Sequence, residues 1–276
     1  MVLEPLSKQE LESIFDTTAQ EVIRYFLDKM IYMQPELHYD QKESPIQIPK
    51  EHIEQWIVQA LDVDSVGAGS NCLDVLKKGE FGADVKMLSC TIDNNGNLDK
   101  IKLSGETSLA QKFKGVGADL DTLFKNEEYD IIVNEWKDIL KNKYNDILKD
   151  IKNIYYFILL RAGKTFYLCG IKLKLDELNN VKANITQSNT NNVVVDNMLD
   201  NEYGNIRVYK AKKRMELRLK AYKWVEEDKV IKFKFTTMTP RVNLREMVKN
   251  KKLDKHKRQI YRKVIQNGKF KFFNWK

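Results

Sequence analysis

Two residue types that build metal and redox sites are scarce in this chain of 276 residues. Cysteine occurs three times, at Cys72, Cys90 and Cys169, each in an apolar, strand-like run, with no CxxC pair and no even set. Neither a disulfide framework nor a zinc site is indicated. The three histidines, His38, His52 and His256, are too few for a His-rich metal constellation. No apolar run is long enough to span a bilayer, and the N-terminal MVLEPLSKQELE has no basic-then-apolar signal pattern. The expectation is a soluble, cytoplasmic protein, on which basis the sequon Asn184-Ile185-Thr186 is read as chance. No repeat of fixed period is present. The length predicts one large or two small domains.

What is abundant is charge, and it is unevenly spread. The formal net charge is +8. Residues 201–276 hold 24 Lys and Arg against 7 Asp and Glu, a balance of +17; residues 1–200 hold 23 against 32, a balance of −9. Aromatics are interleaved with the cations, as in RVYKAKKRMELRLKAYKW and KHKRQIYRKVIQNGKFKFFNWK. Such a basic stretch is the footprint of a polyanion partner. A purely solubilising face is the plainer alternative, and membrane-surface binding a weaker one, since no lipid anchor is evident.

Periodicity predicts a helix over 7–33, opened by a Ser7/Glu10 capping box, and a second over 50–62 with the stripe Ile53, Trp56, Ile57 and Leu61. Strands are expected at 72–77 and 81–90, then a short one at LDKIKL, helices at 106–114 and 127–152, and a strand hairpin turning at Ala162-Gly163-Lys164. Residues 179–206 are Asn-rich and read as a loop or insertion. Strands around IRVYKAKKRMELRLKAYKWV and KVIKFKF and a basic helix over 242–266 complete the chain. The fold class is α/β (α+β), a central mixed sheet flanked by helices. The expected organisation is a core over 1–178, the loop 179–206, and a basic region over 207–276 packed on the same core.

The hairpin at 72–90 is unusual for its charges. Alternation along ADVKML turns Ala83, Val85 and Met87 one way and Asp84, Lys86 and Leu88 the other. In CLDVL, Leu73 and Val75 share one face, and Cys72, Asp74 and Leu76 the opposite one. Pairing across the turn lets Asp74 converge with Asp84 and Lys86. Two carboxylates side by side resist joint ionisation, and a hard divalent cation such as Mg²⁺ removes that conflict. Lys86 can steady the charge that builds on a pentacovalent phosphorane. The alternative is a cross-strand salt bridge between Asp74 and Lys86 on a solvated face, with Asp84 a bystander. Glu54 lies about 100° round the helix from Ile53, beside the buried stripe, and is the candidate for a further acidic ligand, whereas Glu51 at about 160° points away.

Asp74, followed ten residues on by Asp84-Val85-Lys86, resembles the PD-(D/E)XK nuclease signature, most closely as type II restriction endonucleases use it. The likeness covers roughly residues 50–115, and Leu73 stands where the signature has proline. It implies a restriction-endonuclease-like sheet, Mg²⁺-dependent cleavage of double-stranded DNA, and a homodimer. It further implies Asp74 and Asp84 as metal ligands, Val85 as a carbonyl ligand, and Lys86 as the residue that organises the attacking water. The expected helix at 106–114 would turn Ser108, Gln111 and Lys112 to the DNA backbone. Lys212, Lys213, Arg214, Arg218, Arg241 and Arg245 are the expected DNA contacts of the basic region. A nucleic-acid-binding protein without catalysis, and a repair or structure-specific nuclease, are the competing readings.

Overall fold

Ser7 opens the first helix as its spacing from Glu10 implies: Ser7 Oγ accepts from Glu10 N (3.2 Å) while Ser7 N–H donates to the Glu10 carboxylate (2.8 Å). The computed structural model describes residues 1–42, 45–66, 73–111, 119–235 and 241–259. After strand β1 (Leu3–Pro5), helix α1 runs only over Lys8–Ile14. Asp16 then caps α2 (Thr17–Tyr32) by accepting from Ala19 N at 2.8 Å. The single helix expected over 7–33 is therefore two, because a second N-cap residue interrupts the stripe. Ala19, Ile23, Leu27 and Ile31, four apart, are the buried edge of α2. Helix α3 (Lys50–Leu61) buries Ile53, Trp56 and Ile57, and Trp56 stacks on Phe26 of α2 with centroids 5.5 Å apart.

The chain continues through β2 (Asp64–Ser65), β3 (Val75–Lys77), β4 (Phe81–Ser89) and β5 (Thr107–Gln111), then α4 (Leu120–Lys125) and α5 (Tyr129–Tyr144). Next come β6 (Asn153–Ala162) and β7 (Thr165–Leu173), joined by the two-residue turn Gly163-Lys164, where Gly163 supplies a φ of +61°. Strands β8 (Lys182–Asn189), β9 (Asn192–Asp196), β10 (Gly204–Tyr209) and β11 (Arg214–Leu219) precede α6 (Ala221–Glu226), β12 (Ile231–Lys234) and α7 (Leu244–Lys249).

Among the described residues these strands form two sheets. The first has the order β1-β7-β6-β4-β3-β2, with β12 also on β7. Strand β1 pairs with residues 171–173 of β7 and β12 with residues 165–168. Strands β4 and β6 are parallel over nine residue pairs, from Phe81 with Asn153 to Ser89 with Arg161. Their connection must cross over, and α5 lies within it. A strand covered on both faces reads as unbroken apolar sequence, which is why IYYFILL shows no alternation. Phe157 and Leu159 pack with the stripes of α1, α2 and α3. Tyr156, Ile158 and Leu160 face the opposite way, into a core shared with α4, α5 and the second sheet. That sheet is antiparallel, in the order β5-β11-β10-β9-β8.

Several expectations are corrected. Residues 107–111 are strand β5, not helix: Leu109 and Ala110 are buried where β5 pairs β11. LDKIKL forms no strand, only the bridge of Leu98 with Ile92. The long helix of 127–152 stops at Tyr144, with a single 3₁₀ turn at Ile147–Lys149. The Asn-rich 179–206 stretch is not a loop but holds β8 and β9, its asparagines making turns: Asn189 Oδ1 accepts from Asn191 N and Asn192 N. The segment after Leu219 is helix α6 rather than strand. The basic helix of 242–266 breaks after Lys249, resumes over 253–259, and otherwise lies outside the described residues. Residues from the two sides of the 179–206 stretch share sheets: β5 joins β11, and β12 joins β7.

Gly204 begins β10 opposite Leu219, and a Cβ there would collide with the backbone carbonyl oxygen of Arg218. Gly204→Ala is expected to cost about 1–3 kcal/mol, as overpacking does. A melting temperature equal to that of the unaltered protein would contradict this packing.

Candidate active site

Strand β4 crosses the apolar middle of the first sheet, yet it carries the buried Asp84. Removing a carboxylate from water costs several kcal/mol unless it is paired. Here the pairing is extensive. Asp84 Oδ1 accepts from Lys86 Nζ at 3.1 Å, and Oδ2 accepts from Lys143 Nζ at 2.6 Å and Tyr144 Oη at 3.0 Å. Tyr144 Oη lies 2.7 Å from Tyr156 Oη, and both rings are fully buried. Lys86 Nζ also donates to Asp74 Oδ2 at 3.2 Å, so one ammonium bridges a carboxylate of β4 and one immediately before β3. Val85 N–H donates to the same Asp74 oxygen at 2.7 Å.

A bulge aims Asp74. Val75 is the ladder partner of Ala83, yet Asp74 N also donates to the Ala83 carbonyl at 2.9 Å, so two residues of one strand oppose one of the other. The bulge also corrects the expected phasing. Leu73 belongs to the core on the α5 face and Val75 to the core on the α3 face, so the two do not share a side. Beyond the bulge the expected alternation of β4 holds: Ala83 and Val85 face α3, while Asp84 faces α5 and Leu88 joins that face's core. Alternation of the backbone turns the Val85 carbonyl toward the side where Val85 N–H meets Asp74.

The charges reinforce each other. Burial works to raise the Asp84 carboxyl, but the Lys86 and Lys143 ammonium groups hold it below its usual 3.8. Burial drives Lys86 down, and Asp84 and Asp74 more than offset this, holding it above its usual 10.5. Burial, with Tyr156 and Asp84 beside it, pushes the Tyr144 phenol well above 10.0, so it remains a neutral donor.

Asp74 and Asp84 present hard oxygens to one point, now held by an ammonium group. Among the described residues no three His, Cys, Asp or Glu gather as a metal-holding group. Two carboxylates and a carbonyl suit a small hard cation that keeps most of its water, as Mg²⁺ does, and do not suit a soft or fully caged metal. The donor set therefore fits Mg²⁺.

Glu54 does not join them. Its helix docks through Ile53, Trp56 and Ile57 on the face of the sheet opposite Asp84, and Glu54 is only partly buried there. Ser108 lies on β5 and turns its hydroxyl to the Ala110 carbonyl (3.0 Å), Gln111 ends that strand, and Lys112 lies outside the described residues. Among the basic candidates, Lys212 pairs with Glu106 and Glu216, and Arg218 with Glu106. A hydrogen bond from Glu216, then Lys212 and Arg218, pull Glu106 down to about 2 against the effect of burial. Arg241 spends its guanidinium on the carbonyls of His38, Tyr39 and Gln41. Lys213, Arg214 and Arg245 are exposed. The stretch 241–259 is further tied to the 34–42 segment by the bond of His256 Nε2 with Glu36 Oε1, 2.7 Å.

Comparison of the chain with protein-family models, with curated proteins and with solved structures gives no match. No helix among the described residues is long and apolar enough to cross a membrane.

Lys143, Tyr144 and Tyr156 were not among the sequence candidates. Tyr144 falls inside the helix expected over 127–152, and no local pattern ties residues 143–144 to position 84.

Asp84's share of the stability is complete above 3.8 and is lost as pH falls through its lower folded value. The melting-temperature gap between the unaltered protein and Asp84→Asn is therefore expected to narrow below that pH, and a gap independent of pH would contradict the pairing. Tyr144→Phe removes one neutral donor and is expected to cost about 1–2 kcal/mol in urea unfolding.

Proposed function

We propose that this protein is a Mg²⁺-dependent nuclease of the PD-(D/E)XK kind, most like a type II restriction endonuclease that cuts double-stranded DNA as a cytoplasmic homodimer. The observation that carries the reading is the sharing of Lys86 by Asp84 of β4 and Asp74, which immediately precedes β3. The spacing of the signature thereby becomes a single cluster. A mixed sheet flanked by helices agrees with the restriction-endonuclease-like architecture that the resemblance implies.

In this reading Asp74, Asp84 and the Val85 carbonyl would hold the cation, which would supply Lewis-acid charge at the phosphate. Asp84 is fixed by Lys143 and Tyr144, so little reorganisation accompanies the reaction. Lys86 is held protonated by its two carboxylates, so it serves as a cation rather than as a base. Its ammonium orients the attacking water and offsets the charge on the phosphorane. The water oxygen bonds to phosphorus, one P–O ester bond breaks, and the products are a phosphomonoester and a hydroxyl. The exposed Lys213, Arg214 and Arg245 supply sequence-independent phosphate contacts.

A second reading has one observation in its favour: every charge of the cluster is already paired within the protein, as a structural ion network in a non-catalytic DNA-binding protein would be. Incubation with unmethylated phage DNA and Mg²⁺ separates the two. Discrete fragments are expected from the unaltered protein, with none in EDTA. Lys86→Gln and Asp74→Asn, folded by circular dichroism, are expected to lose at least ~10²-fold in cleavage. Intact DNA from the unaltered protein, or near-normal cutting by either variant, would overturn the assignment.

A further inference from the structure

Lys143 stands one residue before the end of α5, and its Nζ meets the Asp84 oxygen that Lys86 leaves free. The same nitrogen lies 3.5 Å from the Leu109 carbonyl of β5 and 4.7 Å from the centre of the Tyr144 ring. Of the four charged side chains in the cluster it is the most open: 24% exposed, against 19% for Asp74, 13% for Lys86 and 6% for Asp84. An ammonium has three donors, and Asp84 and Leu109 account for two. Lys86 alone offsets only one of the two carboxylates it contacts. Counting both lysines, however, the two carboxylates are balanced. Without Lys143 the cluster carries a net negative charge that repels a phosphodiester.

The geometry points to Lys143 as a phosphate-binding residue of this site, contacting a non-bridging oxygen of the strand to be cut while Lys86 serves the water. This rests on the nuclease reading for the word "cut", but the contact itself is tested without cleavage. Binding of a short random-sequence duplex is measured by fluorescence anisotropy in EDTA over a series of salt concentrations. Lys143→Gln is expected to bind about three- to tenfold more weakly, with a salt slope shallower by about one. Lys143→Arg keeps the charge and is expected to bind like the unaltered protein, an outcome that a purely structural role for the lysine geometry does not give. Because Lys143→Gln removes a partner of a buried carboxylate and could unfold, a second measurement uses the unaltered protein. Acetylation of Lys143, followed by mass spectrometry, is expected to slow several-fold when duplex is added. Normal affinity and slope in a folded Lys143→Gln, or acetylation indifferent to duplex, would overturn the inference. Either result stands whether or not the protein cuts DNA, so failure of the nuclease reading is recognised separately, by intact DNA in Mg²⁺ from the unaltered protein.

Discussion

The ammonium group of Lys86 joins a carboxylate of β4 to a carboxylate at the start of β3, in a sheet whose remaining core is apolar on both faces. The buried Asp84 is not tolerable there alone, since an unpaired buried ion costs several kcal/mol. Their positions are therefore mutually conditional. The same requirement accounts for the surroundings. Asp84 needs more acceptance capacity filled than Lys86 provides, and α5 meets it with Lys143 and Tyr144, the latter backed by Tyr156. A cluster so closely hydrogen-bonded is preorganised.

The fold delivers these groups from distant parts of the chain. Parallel pairing of β4 with β6 forces a crossover, and α5 in that crossover covers the face toward which Asp84 points. Its last two residues end over the carboxylate. The bulge at Asp74 re-aims a side chain that strict alternation leaves in register with Leu76. Strand β5 of the second sheet closes the site from another side through the Leu109 carbonyl. The basic C-terminal stretch offers fewer free cations than its composition implies, because Lys212, Arg218 and Arg241 are committed to partners inside the protein.

The convergence of Asp74, Asp84 and Lys86 was legible because a period of two and a tight turn are local properties. The bulge was not, since nothing in CLDVL marks where the ladder gains a residue. Leu73 was consequently placed on the wrong face. Ser108 and its neighbours are expected in a helix from local sequence alone, while pairing of β5 with β11 decides the conformation from a hundred residues away. The second sheet was hidden by its turns: asparagines that close the β8–β9 hairpin look like loop composition. Lys143 and Tyr144 depend on a tertiary contact across about sixty residues, which no single-sequence pattern encodes.

The central claim is that the point shared by Asp74, Lys86 and Asp84 is a divalent-cation site, and anomalous diffraction from crystals soaked in Mn²⁺ tests it most directly. The account predicts a peak within about 2.0–2.3 Å of one oxygen from each of Asp74 and Asp84, with the Lys86 ammonium displaced from between them. A peak elsewhere alone, or no peak at saturating Mn²⁺ with Lys86 still bridging the two carboxylates, would contradict it.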